Sequence, residues 1–451
     1  MINERPTGRS FNDVTRDLPR LPSGTTEALV VFLIALLVRT LFAWTTLPAP
    51  IAFDAADYDR LAHAIVEGRG YISPEGLPTS ERPPLYSYVL ASVYVVFGDD
   101  AHTAMRGLQA LVDAGTCTMV YLLALRNFGL PAARIAAIFA IVSLSALFAT
   151  RHLLTETFAA FFMVATVLAL DMALTAWRWA AFFVAGALAG LSTLNKGTTL
   201  ALPGALMVPI LIAARPHWRR ALQAGALLCA GFVLTLLPWT VRNYRVHGEV
   251  VPVATQMGWA IYTSYLPPQG KIFGLYTWDE TVIRAHELPE AERSRTLLRA
   301  ALNHVREKPG ELPRLIALKF LYFISPFDWE FFGGSGEVNF TYVLTFPLAL
   351  YGLWCARSKG WRPVLLAVPP AFLLLFALAI YGSPRLRFPA EPLYAVLAGG
   401  GLAVIWSRAG TYRPVVVAVM TVAVVTGLAA FSYSTEVKTF SANVLRAAGL
   451  W

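Results

Sequence analysis

The segment IAFDAADYDRLAHAIVEGRGYISPEG, residues 51–76, follows the first long apolar run of the chain. Read as a helix from Asp54, it puts positions 54, 57, 58, 61, 62 and 65 on one face, because residues three and four apart stack along a helix. That face reads Asp, Asp, Tyr, Leu, Ala, Ile, while Asp59, Arg60, His63 and Glu67 take the opposite face. An amphipathic helix ordinarily keeps its carboxylates on the wet side. Two of them at the head of an apolar stripe mark a platform between a greasy surface and a polar site.

The rest of the chain supplies the greasy surface. Of 451 residues, 56% are hydrophobic and 14% charged, where average soluble domains carry about 25% charged residues. A spanning helix needs roughly 20 apolar residues. Runs at 28–48, 101–125, 131–149, 156–176, 179–194, 199–213, 221–241, 339–356, 363–381, 388–406 and 414–431 are the candidates. The runs 84–97 and 311–325 fall short of a ~30 Å hydrocarbon core and read as helices lying in the interface. The fold class predicted is an all-α polytopic membrane protein, with 11–13 transmembrane helices plus interfacial helices in the outer loops.

Charge orients these spans. With both short runs kept on one side, one set of loops collects Arg126, Arg134, Arg178, Arg215, Arg219, Arg220, Arg357, Lys359, Arg362, Arg408 and Arg413, together with four arginines of the N-terminal tail. The positive-inside rule makes that set cytoplasmic. Segment 49–100 is acidic and falls outside. The organisation expected is a cytoplasmic tail 1–27, a transmembrane module 28–241 with its first outer loop at 49–100, an outer loop with interfacial helices at 242–338, C-terminal transmembrane helices at 339–431 and an outer tail 432–451. The net charge of +9 is spread over loops and does not form a nucleic-acid surface. The N-terminus does not read as a cleavable signal, because 27 polar residues precede the first run. Cys117, Cys229 and Cys355 all lie in apolar runs, so neither a disulfide nor a metal cluster is expected.

The same topology collects ionisable residues on the outer side. They are Asp54, Asp57 and Tyr58 in the first loop; Arg82 in TSERPPLYSYV; His152 and Glu156 in ATRHLLTETFAAFF; Lys196 in LSTLNKGTTLALP; Arg242 in PWTVRNYRVHGEVVP; and Arg385 and Arg387 in IYGSPRLRFPAEPLYAVLAGGG. Such groups at membrane depth are costly and often functional. Each also has an ordinary reading: Asp54 and Asp57 as a helix cap, Glu156 as a dipole partner, and the arginines and lysine as snorkelling side chains. No paired-histidine motif, phosphate loop or dinucleotide fingerprint is present, and no metal site is assigned. Carboxylates supply a general base, and arginines grip phosphate through paired hydrogen bonds. Together over an apolar platform they fit transfer from a lipid-linked phosphate donor, with the arginines stabilising the departing phosphate.

The ordered stretches FDAADYDRLAHAIVEGRGY, RPPLYSYVLASVYVVFG, LLTETFAAFF, PWTVRNYRVHGEVVP and RLRFPAEPLYAVLAGGGL resemble bacterial polytopic glycosyltransferases of the GT-C fold. The resemblance is to the family 39 group, similar to protein O-mannosyltransferases and the aminoarabinose transferase of lipid A, and is weakest over 255–335. It implies transfer of a sugar from a polyprenyl-phosphate donor to a lipid, glycan or protein acceptor outside the cytoplasmic membrane, usually with inversion. Asp54 then matches the catalytic base, with Asp57 as the second acid, although the usual adjacent pair is interrupted by Ala55; which of the two is the base stays open. Glu156 matches a second acidic position that shapes the site or holds a metal, so a divalent metal is also left open. Arg385 and Arg387 match the basic stretch where the lipid phosphate lies, with Arg242 and Lys196 as further phosphate ligands; Tyr58, Arg82 and His152 line the substrate pocket. The alternative from another class is a transporter or flippase of lipid-linked sugars. It predicts internal repeats and midplane charges, whereas these spans show no repeat and only Asp171 stands out within one.

Overall fold

The computed structural model describes residues 23–46, 48–265, 279–328 and 337–432. The expected tails beyond those limits, and stretches 266–278 and 329–336 of the expected outer loop, lie outside the described residues. In chain order the helices are α1 Ser23–Thr45, α2 Asp54–Val66, α3 Leu85–Phe97, α4 His102–Phe128, α5 Leu130–Ile141, α6 Leu144–Ala149, α7 Glu156–Ala176, α8 Trp179–Asn195, α9 Leu202–Ala213 and α10 Trp218–His247. They continue as α11 Met257–Tyr265, α12 Glu280–His286, α13 Glu290–Glu307, α14 Leu312–Ile324, α15 Phe340–Ala356, α16 Trp361–Ala379, α17 Pro384–Arg387, α18 Glu391–Ala409 and α19 Arg413–Ser432. Two short strands, β1 Phe327–Asp328 and β2 Glu337–Val338, pair antiparallel with Phe327 opposite Val338.

Six helices among the described residues are long and apolar enough to cross a membrane, and shorter apolar helices accompany them. Leu29, Leu33, Leu37 and Leu41 of α1 point outward. Such greasy outer faces suit a lipid solvent, in which helices satisfy their own backbone hydrogen bonds. The chain is a multi-pass membrane protein.

Most apolar runs become helices within a few residues of their expected limits. The run 131–149 does not stay whole. Ser143 caps α6 by accepting the Ala146 N–H at 3.5 Å, and the Leu144 N–H goes to Thr341 Oγ1 at 3.1 Å. The side chains thus replace ladder bonds where α5 stops. The run 221–241 extends instead: α10 has 30 residues, about 45 Å at 1.5 Å per residue. It carries Arg242, Asn243 and His247 well past the apolar stretch.

Between apolar helices in lipid, close packing replaces hydrophobic drive, and small residues allow it. A Cβ built on Gly186 of α8 would lie 1.9 Å from the Leu228 carbonyl oxygen of α10, and one on Gly231 would lie 2.1 Å from the Phe183 carbonyl oxygen. Inside the bundle Arg39 of α1 is buried and its Nε donates to Asp113 Oδ2 of α4 at 2.6 Å. This mid-span pair was not anticipated from the sequence. Neither residue sits at a run's edge, and each neutralises the other.

A second, smaller core fixes α2 and α3. Ala55, Tyr58 and Ala62 of α2 pack with Tyr86, Leu90, Ala91 and Tyr94 of α3, and with Met105, Leu153, Leu154 and Phe158. Tyr86 Oη donates to Gln109 Oε1 of α4 at 2.7 Å. The platform is thereby pinned to the top of the bundle by aromatic burial and a satisfied buried polar pair.

The α8–α10 seam gives a direct test. Gly231→Val should force the helices apart and lower stability by about 1–3 kcal/mol or more. Gly107→Ala, with nothing within 4 Å of the new Cβ, should leave the thermal midpoint in detergent unchanged or slightly raised.

Candidate active site

The α2 helix starts abruptly. Phe53, exposed and at φ 52°, turns the chain into it without any side-chain cap. A bulky residue at positive φ is strained, and here the strain directly precedes Asp54. The buried stripe holds Tyr58, Leu61 and Ala62 as the periodicity predicts. Asp54 and Asp57 stand at its head with side chains 26% and 41% exposed.

Three cations face them. Arg82 Nη2 lies 2.7 Å from Asp54 Oδ1 and 2.7 Å from Asp57 Oδ2. Arg385 Nη1 donates to Asp54 Oδ2 at 2.7 Å, and its Nε donates to Glu156 Oε1. Lys196 Nζ donates to that same Glu156 oxygen at 2.6 Å. Glu156 is fully buried in the first turn of α7. Asn195, at the end of α8, donates to the Thr155 carbonyl at 2.9 Å and so fixes Lys196 beside Glu156. Ser383 caps α17 by accepting the Arg385 N–H at 3.1 Å, which sets the Arg385 backbone. Three carboxylates and three cations, drawn from distant parts of the chain, are therefore joined by ion pairs into one charge-balanced series, an open ring running Asp57–Arg82–Asp54–Arg385–Glu156–Lys196.

The ring sets protonation. Burial alone would raise the Asp54 pKa. The guanidiniums of Arg385 and Arg82, with the Lys196 ammonium, outweigh burial and hold its carboxyl well below the usual carboxylate range. Burial by itself would weaken the Arg82 charge, but Asp54 and Asp57 push its pKa further up. Burial drives the Tyr58 hydroxyl far above its ordinary range, so it stays neutral under Arg82, whose guanidinium carbon lies 5.9 Å from the ring centroid.

Three expected site residues are placed elsewhere. Arg387 is fully buried: its Nε donates to Glu391 at 2.9 Å, its Nη1 to the Phe323 carbonyl at 2.9 Å, and its plane stacks 3.7 Å from the Tyr342 centroid. It ties α14 to α18. Arg242 donates to the carbonyls of Thr79 at 2.6 Å and Tyr71 at 3.0 Å, and lies over Trp239. It latches the first loop onto α10. His152 is half-buried in the turn before α7, where its carbonyl accepts from Gln109 Nε2 at 2.9 Å.

A cavity of about 260 Å³ opens beside the ring, lined among others by Asp57, Glu81, Arg82, Gln256, Trp259 and Arg293. Arg82 Nη1 reaches Gln256 Oε1 at 3.2 Å, so one guanidinium faces both ring and cavity. Burial, then the Glu290 charge, pushes the Glu81 carboxyl up against the pull of Arg293. The cover over this cavity is α11 to α13. Glu290 seats it by accepting from Thr79 Oγ1 at 2.6 Å, Thr255 Oγ1 at 2.6 Å and the Ser80 N–H at 2.9 Å. Gln256, Trp259, Glu290 and Arg293, within the stretch expected as an outer loop, escaped the sequence reading. The available signal was the buried stripe Ala291, Leu297, Ala301.

The resemblance left open a divalent metal at the acids. The donor set does not fit one: Asp54, Asp57 and Glu156 each accept from a cationic side chain, and that neutralises the oxygens a divalent ion would need.

Removing the buried acid should be costly. Glu156→Ala leaves Arg385 and Lys196 without their shared partner, and thermal unfolding in detergent should register a loss on the order of 3–5 kcal/mol. A Glu156→Ala, Lys196→Ala double variant should lose less than the sum of the two singles.

Residues 81–241 match the family model for dolichyl-phosphate-mannose-protein mannosyltransferase. No curated protein matches the chain. Among solved structures, the archaeal oligosaccharyltransferase AglB from Archaeoglobus fulgidus, in complex with an inhibitory peptide and a dolichol-phosphate, aligns at 16% identity and TM-score 0.55, covering 91% of this chain and 54% of that one. The same enzyme tethered with an acceptor peptide containing the NVT sequon aligns at 15% identity and TM-score 0.54, covering 91% and 54%. ArnT from Cupriavidus metallidurans bound to undecaprenyl phosphate aligns at 17% identity over 87% of this chain and 79% of that one, with a TM-score of 0.37 that carries no weight for the fold. The chain spans about half the length of the oligosaccharyltransferase. It has the GT-C fold, and its segment 81–241 is related in sequence to a glycosyltransferase family.

Proposed function

We propose that this GT-C protein is a glycosyltransferase that moves a sugar from a polyprenyl-phosphate donor to an acceptor on the outer face of the cytoplasmic membrane, with inversion. The observation that carries this is the sharing of Arg385 between Asp54 and Glu156, with Lys196 on the same Glu156 oxygen. A cation already paired with a carboxylate oxygen can exchange it for a phosphate oxygen, which offers the same charge-assisted hydrogen bonds. The family match over 81–241 and the dolichol-phosphate named for the solved oligosaccharyltransferase support the same donor class. The arginine-rich loops lie at the other end of the bundle, where Arg134 pairs with Glu27 and Arg126 with Asp171. By the positive-inside rule that end faces the cytoplasm.

The donor phosphate enters beside Arg385 and Lys196, with its isoprenoid tail along the apolar bundle. As these cations turn to the phosphate, Asp54 loses part of the field that suppressed its basicity. Asp54 then accepts the proton of an acceptor hydroxyl or amine. The acceptor attacks the anomeric carbon opposite the phosphate; the bond from that carbon to the phosphate oxygen breaks, and its electron pair leaves with the phosphate. Arg385, Lys196 and Arg82 stabilise the charge that grows there. Asp54 rather than Asp57 is assigned as the base because it touches Arg385, and the nucleophile must lie beside the phosphate-bearing carbon. Asp57 and Arg82 face the cavity, which takes the sugar or acceptor. Arg387 and Arg242 hold the frame, and Tyr58 supports Arg82.

In proteoliposomes supplied with a synthetic polyprenyl-phosphate sugar, the protein should release polyprenyl phosphate and glycosylate acceptor. Asp54→Asn should cut turnover about 10²- to 10⁴-fold while donor still binds. Lipid translocation without phosphate release would make the protein a flippase and sink the assignment. The pH profile gives a second test. Arg385→Gln removes the largest cationic influence on Asp54, so the Asp54 pKa should rise and the acidic limb of the rate profile should move to higher pH. An unmoved limb would remove Asp54 as the titrating base.

A further inference from the structure

The face of α2 opposite Tyr58 carries Asp59 and His63, one helical turn apart. The link between α3 and α4 brings Asp100 and His102 against them. His102 Nε2 lies 2.9 Å from Asp59 Oδ1 and 3.8 Å from Asp100 Oδ1, and His63 Nε2 lies 3.3 Å from that Asp100 oxygen. The ligand atoms of Asp59, His63 and Asp100 all fall within 4.8 Å of one another. Zinc binds imidazole nitrogen and carboxylate oxygen at about 2.0–2.1 Å, so ligand atoms around a tetrahedral ion stand about 3.3 Å apart. The three histidine–carboxylate separations, 2.9, 3.3 and 3.8 Å, bracket that value.

The supporting shell is also built. His63 Nδ1 lies 2.9 Å from the Asp59 carbonyl oxygen, to which it donates, and this turns Nε2 toward the carboxylates. The buried Tyr94 hydroxyl donates to Asp59 Oδ1. The Tyr94 ring packs against both imidazoles, at centroid distances of 4.9 Å to His63 and 5.8 Å to His102. Two simple histidine–aspartate pairs would each need one partner, yet His102 stands between both acids.

We propose that Asp59, His63, Asp100 and His102 hold a divalent transition-metal ion, zinc by the chemistry of the set, which clamps α2 to the α3–α4 link. Two imidazoles and two carboxylates favour a borderline ion over the all-oxygen shells of calcium or magnesium. Because Asp59 directly follows Tyr58, the clamp fixes the rotation of α2 about its axis and hence the aim of Asp54 and Asp57. The site lies on the face of α2 away from the ring, and it does not depend on the transfer reaction.

The full-length protein in detergent, stripped with EDTA and desalted, would be titrated with zinc chloride. Bound metal would be read by elemental mass spectrometry and stability by thermal unfolding. One zinc per chain and a raised midpoint are expected. Asp100→Ala, at a side chain 71% exposed, and His102→Ala should weaken zinc binding at least tenfold. Tyr94→Phe should weaken it about 10- to 100-fold by removing the hydrogen bond to Asp59. His217→Ala should change nothing. Full zinc retention in a His63→Ala, His102→Ala double variant, no zinc bound by the parent protein, or an equal midpoint rise with calcium would overturn the proposal. Each of these reads metal content or stability, so none bears on whether the protein transfers sugar.

Discussion

The bridge from Arg385 to Asp54 and Glu156 is the contact on which the site depends. Residues 54, 156 and 385 lie far apart in the sequence, and their helices could pack in many registers on apolar contacts alone. In a low-dielectric setting, an unpaired charge from any one of them is far costlier than a slipped leucine. The charge-balanced ring therefore selects one arrangement of α2, α7 and α17. Lys196 and Arg82 extend the selection to the α8 end and to the loop before α3.

Buried charge recurs through the molecule under the same rule. Arg39 meets Asp113 within the bundle, Asp171 meets Arg126 at the far end, and Arg387 meets Glu391 beside the ring. These three pairs lie within or between helices that also make ordinary apolar contacts, and they are partnered at short range. The ring differs because its members come from loops and helix starts at one level, and because each of its acids meets a cation from a distant part of the chain.

That distinction explains what could be read from the sequence. Hydrophobic run length located the helices, and charged residues at the run edges located Asp54, Asp57, Arg82, Glu156, Lys196 and Arg385, which the structure brings together. The same signal also drew in Arg242 and Arg387, because a guanidinium at a helix end looks alike whether it meets a ligand or backbone carbonyls. Arg39 and Asp113 were passed over because each alone resembles an isolated interruption, and only the fold makes them a pair. The break after Ile141 was hidden because Ser143 and Thr341, nearly two hundred residues apart, jointly replace the helix ladder. The lining contributed by Gln256, Trp259 and Arg293 lies in a polar stretch where hydrophobic periodicity carries little information.

The length of α10 has a mechanical meaning. A helix of about 45 Å, with Pro238 inside it, exceeds a ~30 Å hydrocarbon layer, and a mismatch of that kind is met by tilting, kinking or protrusion. Its protruding end carries Arg242 and Asn243, which grip the first loop, and His247, which stands 3.9 Å from Glu290 of the lid above. The lid is thus tied through Glu290 and His247 to the end of α10. A shift of that end along the membrane normal would carry the first loop and the lid with it, so the clearance above the charged ring is coupled to how α10 sits in its lipid.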